Sequence, residues 1–181
     1  MERVYFDMNW GCYDLDVLLG ICGWSLTPCR VLGRVHAVPP QFADRLPPGS
    51  DAESHAIGFV TFHSGVTLSY ERAELYPGPS ESVWEITGSE GSLKLDMMAE
   101  SGSSLIHWHS TPSGDLQETV LWSGTTNGEE IHKMPARDFV AAIRESRPPC
   151  TTLEQAIVVA KITEAIYRSA SDGKAVDVPE N

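Results

Sequence analysis

The hydrophobic pattern changes its period twice along the chain, and this change limits what the chain can fold into. Between residues 56 and 122, short apolar and polar alternations are separated by turns rich in Gly and Pro, which is typical of antiparallel hairpins. Near both ends, apolar residues recur every three to four positions, which predicts helices. The pattern therefore predicts an α+β fold, in which a largely antiparallel open sheet carries helices on one face.

The first half of the chain predicts a helix, a strand and a hairpin. Leu15, Leu18 and Leu19 recur at helical spacing, and Gly20 and Gly23 are expected to end that helix. A strand is predicted next, followed by a proline-rich loop and a pair of strands. The predicted ranges are 9–23 for the helix, 27–38 for the strand, 39–51 for the loop, and 56–62 and 66–75 for the hairpin.

The second half predicts two further hairpins and then a change to helices. A capping box of Thr151 and Glu154 is expected to open the last helix, and Gly173 to end it. A preceding helix contains Phe139 and Ile143. The predicted strands are 83–87 with 92–95, 105–110 with 116–122, a short strand at 130–133, and a closing strand at 175–178.

Charge and composition exclude several classes of function. The formal net charge of −12 argues against binding to nucleic acid, which depends on Lys and Arg, and against docking on an anionic membrane. The sequence contains no apolar stretch long enough to span a bilayer, and acidic residues stand where a basic leader would be. The four cysteines lack metal-site spacing, so we expect no zinc and a reduced, cytoplasmic chain.

No glycine-rich dinucleotide fingerprint and no phosphate-binding loop occurs in the sequence. Both motifs place a phosphate at the N-terminus of a helix that follows a strand. The turn at 88–91 contains two glycines, but the pattern after it predicts a strand. We therefore expect that this chain alone does not hold a dinucleotide.

Three segments, in order, resemble the C-terminal domain of the glucose-fructose oxidoreductase and inositol dehydrogenase family. The first is Asn9–Asp16, which reads N-W-G-C-Y-D-L-D and is similar to the family's D-x-G-x-(H/Y)-x-x-D helix start. The second is Ile57–Asp96, which contains the turn I-T-G-S-E-G-S-L. The third is Phe139–Pro179, with F-x-x-x-I-R, a Pro break, and then A-I-Y-R-S-A before G-K and a valine.

The resemblance implies a role for the whole chain. Residues 1–181 would form a single C-terminal domain for substrate binding and dimerisation, shortened at its N-terminal side. A complete family enzyme uses NAD or NADP to oxidise a sugar or polyol hydroxyl, and its cofactor-binding half and catalytic lysine are not in this sequence. We expect no cofactor to bind this chain alone, and we expect a homo-oligomer formed through the sheet.

The resemblance also assigns candidate site residues. Tyr13 and Asp16 match the positions of catalytic residues, and Asn9 and Trp10 fall where substrate is bound. Tyrosine in water loses its proton only near pH ~10, so Tyr13 would need a nearby cation to work as a base. Asn9 departs from the family, because it replaces an acid and cannot act as a carboxylate base.

Other interpretations of these residues stay open. Tyr13 could be a half-buried aromatic residue, Asn9 could be an N-cap, and Asp16 could be a solvated helix residue. His107 and His109 share one face of a predicted strand, which favours a polar sheet face over a metal site. Three tryptophans lie on different predicted strands, namely Trp84, Trp108 and Trp122. They pack within the sheet or at a dimer contact, or they line a sugar-binding surface.

Three functions remain to be distinguished. The leading one is the substrate and oligomerisation part of an NAD(P)-dependent oxidoreductase. The second is a stand-alone ligand-binding or oligomerisation module without chemistry, which the replacement of the family acid by Asn9 favours. The third and weakest is a metal-dependent hydrolase that uses the histidines.

Overall fold

The computed structural model of the chain describes residues 6–79, 81–96 and 103–179. The side chains of residues 6–10 are outside the described part. In chain order the helices are α1 (Phe6–Ile21), α2 (Gly128–Glu145) and α3 (Leu153–Asp172), with a 3-10 helix at Pro40–Arg45. The strands are β1 (Pro28–Ala37), β2 (Glu53–Phe62), β3 (Thr67–Ala73), β4 (Trp84–Gly88), β5 (Gly91–Leu95), β6 (Ser103–Ser110), β7 (Leu116–Gly124) and β8 (Val176–Asp177).

The chain divides into two compact units. The first consists of residues up to Gly78 and from Thr151 onward, and the second of Pro79–Cys150. Each unit has one four-stranded sheet, with strand order β3-β2-β1-β8 in the first and β4-β5-β6-β7 in the second. Every strand pair in the described residues is antiparallel. Among those residues, no helix is long and apolar enough to cross a membrane.

The core of the first unit lies between its sheet and helices α1 and α3. Leu15 and Leu19 of α1 pack there with Ile162 and Ile166 of α3, and each of these four side chains is almost fully buried. The sheet contributes its inward-facing residues Val31, Val60, Phe62, Tyr70 and Val176. Both helices thus cover the same face of the sheet, as the sequence predicts.

Helix α3 approaches the sheet closely because two strand positions carry no side chain. An added Cβ on Gly33 of β1 would lie 2.6 Å from the carbonyl oxygen of Ile166, and one on Gly58 of β2 would lie 2.8 Å from the Ile166 side chain. Ser169 fixes the same contact with hydrogen bonds. Its buried hydroxyl accepts from the Gly33 N–H at 2.8 Å and donates to the Lys174 carbonyl at 2.6 Å.

In the second unit, helix α2 is largely exposed. Only Ala142 among its residues is buried, while Phe139 and Ile143 remain more than half exposed. Asn127 caps the helix by accepting from the N–H groups of Glu129 and Glu130. The Lys133 ammonium then donates to both of those glutamates, which adds support along the exposed face.

The fold class is confirmed, with the antiparallel strands divided between two sheets. Three local predictions are wrong. Residues 130–133 form part of α2 instead of a strand, because the Asn127 cap and the Glu–Lys pairs start the helix before them. The capping box uses Thr152 and Gln155 instead of Thr151 and Glu154. Gly20 lies inside α1 instead of ending it. In addition, the predicted loop contains the 3-10 helix.

We predict opposite effects for alanine at two glycines of the first unit. Gly33→Ala should lower the free energy of unfolding by about 1–3 kcal/mol, since the new methyl group meets backbone of α3. Gly20→Ala should raise this free energy by about 0.5–1 kcal/mol, because Gly20 is exposed within α1 and the atom nearest to an added Cβ would be 3.7 Å away. Urea unfolding of both variants tests this. An unchanged unfolding midpoint for Gly33→Ala would contradict the close approach of α3.

Candidate functional site

Helix α1 has a buried side and an exposed side. Leu15 and Leu19 are inserted into the core and so fix the rotation of the helix about its axis. That rotation leaves Tyr13 55% exposed and Asp16 half-buried. The two residues are three positions apart, so they lie on the same side of the helix.

A partly buried ion pair holds α1 against the sheet. The Arg72 guanidinium near the end of β3 donates to the Asp14 carboxylate at 2.9 Å and to the Glu74 carboxylate at 3.0 Å. Asp14 is almost fully buried, and burial raises the pKa of its carboxyl, although the hydrogen bond from Arg72 opposes that rise. Asp14 directly follows Tyr13, so this pair anchors the turn of helix that carries the phenol.

A second buried contact lies at the start of β2. The Tyr167 hydroxyl of α3 donates to the carboxylate of Glu53, which is buried. The N–H of Glu74 donates to the Ser54 carbonyl at 2.7 Å, which joins the start of β2 to the end of β3. Polar groups from α3, β2 and β3 therefore meet at the same end of the sheet as Arg72.

Burial raises the pKa of acidic groups on α1. Burial raises the pKa of the Asp16 carboxyl. Burial also raises the pKa of the Cys12 thiol, and the negative charges of Asp14 and Asp16 add to that rise. Cys12 is thereby kept as a thiol and is unsuited to act as a nucleophile. A carboxyl with a raised pKa is suited to exchange protons, so the face is better suited to acid–base chemistry than to nucleophilic attack.

The predicted site residues all lie on α1. The structure brings Tyr13 and Asp16 to one side, and their catalytic roles stay predictions. Asn9 and Trp10 belong to the helix, but their side chains are outside the described part. The alternative interpretation of Asn9 as the N-cap is wrong, because α1 already begins at Phe6 and Asn9 is an interior helix residue.

Sequence reasoning missed the Asp14–Arg72 pair. A signal for it was available, because Leu68 and Tyr70 mark the apolar face of β3 and Arg72 continues that alternation. An arginine on a core-facing position requires a buried acid. The identity of that acid could not be read from the sequence, since Asp14 lies 58 residues away.

The polar residues predicted in the second unit do not form a metal centre in the described residues. His107 and His109 stack with ring centroids 5.1 Å apart. No group of three or more His, Cys, Asp or Glu side chains is placed as metal ligands would be in the part of the chain that the structure describes. Trp108 points to the opposite face of β6, where its indole N–H donates to Glu118 at 3.2 Å.

The described residues do not contain the unit of parallel strands, glycine-rich turn and helix that commonly holds a dinucleotide. Here the strand pairs are antiparallel, and the turn between Gly88 and Gly91 leads directly into β5. No residue of the described chain is therefore assigned to a cofactor.

Comparison with known proteins identifies relatives of the chain. The profile of a family described as "Oxidoreductase family, C-terminal alpha/beta domain" matches residues 7–178. No curated protein matches the chain. Among solved structures, an oxidoreductase domain protein from Kribbella flavida has a TM-score of 0.72 at 21% identity, covering 94% of this chain and 49% of its own.

Two further solved structures are similar. An oxidoreductase from Agrobacterium radiobacter, solved with NAD+, L-tartaric acid and magnesium, has a TM-score of 0.68 at 19% identity, over 98% of this chain and 50% of its own. A myo-inositol 2-dehydrogenase from Lactobacillus plantarum has a TM-score of 0.62 at 20% identity, over 93% and 47%. The chain thus spans about half the length of the solved structures it matches.

We predict that the anchor of α1 depends on charge and on pH. Arg72→Met leaves Asp14 without its guanidinium and should lower the free energy of unfolding by about 3 kcal/mol at pH 7. The folded chain holds the Asp14 proton more tightly than the unfolded chain, so this carboxyl costs stability above its folded pKa, and the cost disappears below its unfolded value of ~3.9. The loss of unfolding free energy in the variant, relative to the wild type, should therefore become smaller as the pH falls from 7 towards 4. Denaturant titrations at each pH measure it.

Arg30→Met is the matched control for this prediction. Arg30 and Asp177 are 3.8 Å apart, and their side chains are 61% and 84% exposed. Such a surface pair contributes little, so the control should change stability by less than about 0.5 kcal/mol at every pH. Equal deficits for the two variants, or a deficit for Arg72→Met that does not vary with pH, would contradict the role given to Asp14.

Proposed function

The chain belongs to the family of oxidoreductase C-terminal alpha/beta domains, and we propose that it is the substrate-binding and oligomerisation part of an NAD(P)-dependent oxidoreductase acting on a sugar or polyol hydroxyl. The observation that carries the proposal is the exposed Tyr13 beside Asp16 on a face of α1 that the core and Arg72 hold in place. Relatives of matching fold include a myo-inositol 2-dehydrogenase and an aldose-aldose oxidoreductase, whose names give a polyol and a sugar as substrates.

In this proposal, Tyr13 and Asp16 handle the proton of the substrate hydroxyl. Tyr13 is 55% exposed, so we propose that its phenol approaches a bound hydroxyl and exchanges a proton with it. Asp16, on the same side of α1, orients that hydroxyl through its carboxyl. Asn9 and Trp10 are proposed to contact substrate, because they precede Tyr13 on the same helix. Asparagine offers both a donor and an acceptor to sugar hydroxyls.

The cofactor of the complete enzyme would be NAD or NADP, held by residues outside this chain. The antiparallel sheets of the described residues support this division, since they offer no parallel strand–helix unit for a dinucleotide. The isolated chain is therefore proposed to be inactive. A reducing, cytoplasmic location is also proposed, and it is supported by four cysteines that form no disulfide.

Self-association is proposed to use the outer face of the first sheet. Leu32, Ile57 and Phe59 form an exposed apolar centre on β1 and β2, opposite the face that the helices cover. Charged residues Arg34 and Glu71 flank this centre on the neighbouring strand positions. An apolar centre with a charged rim is the usual composition of a protein–protein interface.

A second candidate function is a ligand-binding or oligomerisation module without chemistry. Asn9 favours it, because this residue stands where the family has an acid and cannot replace a carboxylate base. This function would use the same sheet face for association but would need no proton exchange at Tyr13. The genomic sequence upstream of Met1 separates the two, since a fused or adjacent reading frame with a glycine-rich fingerprint and an E-K-P motif supports the enzyme.

We predict that the isolated chain does not bind NAD(H) or NADP(H) at sub-millimolar concentration. The reason is the antiparallel topology of both sheets, and titration calorimetry with each nucleotide is the measurement. The NAD binding oxidoreductase from Klebsiella pneumoniae, which shares the fold, is the positive control under the same conditions. Sub-millimolar binding by the isolated chain would overturn the proposal that the cofactor is held by residues outside this chain.

We also predict that the chain self-associates and that Phe59→Lys weakens the association at least about tenfold, since a charge is placed at the apolar centre. Sedimentation velocity or light scattering over a concentration series measures the effect. Val66→Lys is the control, because Val66 is 45% exposed, close to the 48% of Phe59, and lies in the turn of the same hairpin. A wild-type chain that stays monomeric at high concentration would refute the interface.

A further inference from the structure

A concave site lies on one face of the second sheet, at the hairpin of β4 and β5. It is a depression of about 470 Å³, a size within the range of small-molecule sites. Its walls come from three aliphatic side chains, one imidazole, one carboxylate and two serines, namely Ile86, Leu93, Leu121, His107, Glu90, Ser89 and Ser92. It shares no residue with the α1 site.

Two glycines form the floor of the depression. Gly88 and Gly91 pair directly across the hairpin. Gly91 has φ 151°, and an added Cβ there would lie 2.2 Å from the Trp108 carbonyl oxygen and 2.7 Å from the His107 Nε2. A side chain at Gly91 would therefore displace the imidazole, so the glycine is what lets His107 lie over the hairpin.

A β-bulge supplies the opposite wall. Ile106 pairs with Val120, but Leu105 pairs with Trp122, so Leu121 is the extra residue of β7. The extra residue has no partner of its own on β6. Leu121 lines the depression together with His107, whereas Val120 pairs with Ile106, which lies on the other face of the sheet.

The polar groups of the depression suit a hydroxyl more than an ion. His107 is held by stacking on His109 with an interplanar angle of 17°, and a neutral imidazole both donates and accepts. The buried Nδ1 of His109 has no hydrogen-bond partner among the described residues. Glu90 accepts only, and no Lys or Arg belongs to the lining. The single carboxylate and the net charge of −12 oppose an anionic ligand.

We propose that this depression binds a small uncharged ring that carries hydroxyl groups, such as a cyclic polyol or a pyranose. The apolar face of the ring would lie on Ile86, Leu93 and Leu121, and its hydroxyls would hydrogen-bond to His107 and Glu90. Hydroxyls match this set because each can both donate to the carboxylate and accept from the imidazole. The assignment does not depend on the proposed oxidoreductase function, because every residue involved belongs to the second unit.

The test uses the full chain labelled with ¹⁵N and titrated with myo-inositol, followed by two-dimensional amide and imidazole spectra. We expect saturable shifts in the millimolar range at the amides of residues 86–93 and 121 and at the His107 ring. D-Glucuronate at equal concentration tests the charge argument and should shift these signals less. An anion that binds as well as the polyol would overturn the assignment of ligand class.

Matched variants on neighbouring residues make the test specific. Leu121→Arg fills the depression, whereas Val120→Arg places the same side chain on the opposite face, and the two parent residues are 54% and 55% exposed. Leu121→Arg should weaken myo-inositol binding at least about tenfold, and Val120→Arg should leave it within about twofold. Equal losses in the two variants would refute the site.

Two other outcomes also decide the matter. The absence of saturable shifts up to about 100 mM myo-inositol would overturn the proposal, because the affinity would then be too weak for a ligand site. Shifts confined to residues 11–16 would also overturn it, while they would support substrate binding at α1. Shifts at residues 86–93 without shifts at residues 11–16 would support the depression as a ligand site and would count against the proposed function alone.

Discussion

The close approach of α3 to β1 is the contact on which the first unit depends. It exists because Gly33 and Gly58 leave room for Ile166, whose backbone and side chain would otherwise meet a Cβ at less than 3 Å. Ser169 then hydrogen-bonds the β1 backbone and the residue that leads into β8, so α3, β1 and β8 are joined at one buried hydroxyl. Interiors packed at this density tolerate added volume poorly, which makes the two glycines structural requirements.

The position of the candidate site follows from this packing. Because α3 lies deep on the sheet, α1 can pack against both α3 and β2, and Leu15 and Leu19 fix which side of α1 is buried. Tyr13 is exposed as a consequence. The ion pair of Asp14 and Arg72 adds orientation more than stability, since desolvation of two charges offsets much of their attraction. What it supplies is one defined placement of α1 along the sheet.

Periodicity predicted most elements because their signals are local. The hairpins and the α1 and α3 helices each carry their own alternation or helical repeat, and Gly173 ends α3 with φ 70° as expected of a C-cap glycine. The prediction of a strand at 130–133 was wrong because four residues do not distinguish a helical period from an alternating one. The Asn127 cap, which starts the helix, lies outside those four residues. The division into two sheets was not predictable either, since it depends on which strands pair across long separations.

The candidate site was predictable only in its α1 half. Tyr13 and Asp16 come from a local motif, whereas Arg72 reaches Asp14 across 58 residues, and only its place on the apolar face of β3 hinted at a buried partner. Resemblance to a family supplies residue positions, but it does not supply the contacts that hold them. Those contacts arise from tertiary packing between residues that are far apart in the sequence, so no local motif reveals them.

The same contacts decide what chemistry this chain can carry alone. Arg72 is a partly buried cation close to the α1 face, but two carboxylates, Asp14 and Glu74, already share its charge. With all three ionised, the cluster is negative overall, so its guanidinium supplies no uncompensated positive charge to the α1 face. Asn9 brings no charge of either sign. In the proposed function, we therefore expect the nucleotide-binding partner to supply a cation beside Tyr13 as well as the cofactor.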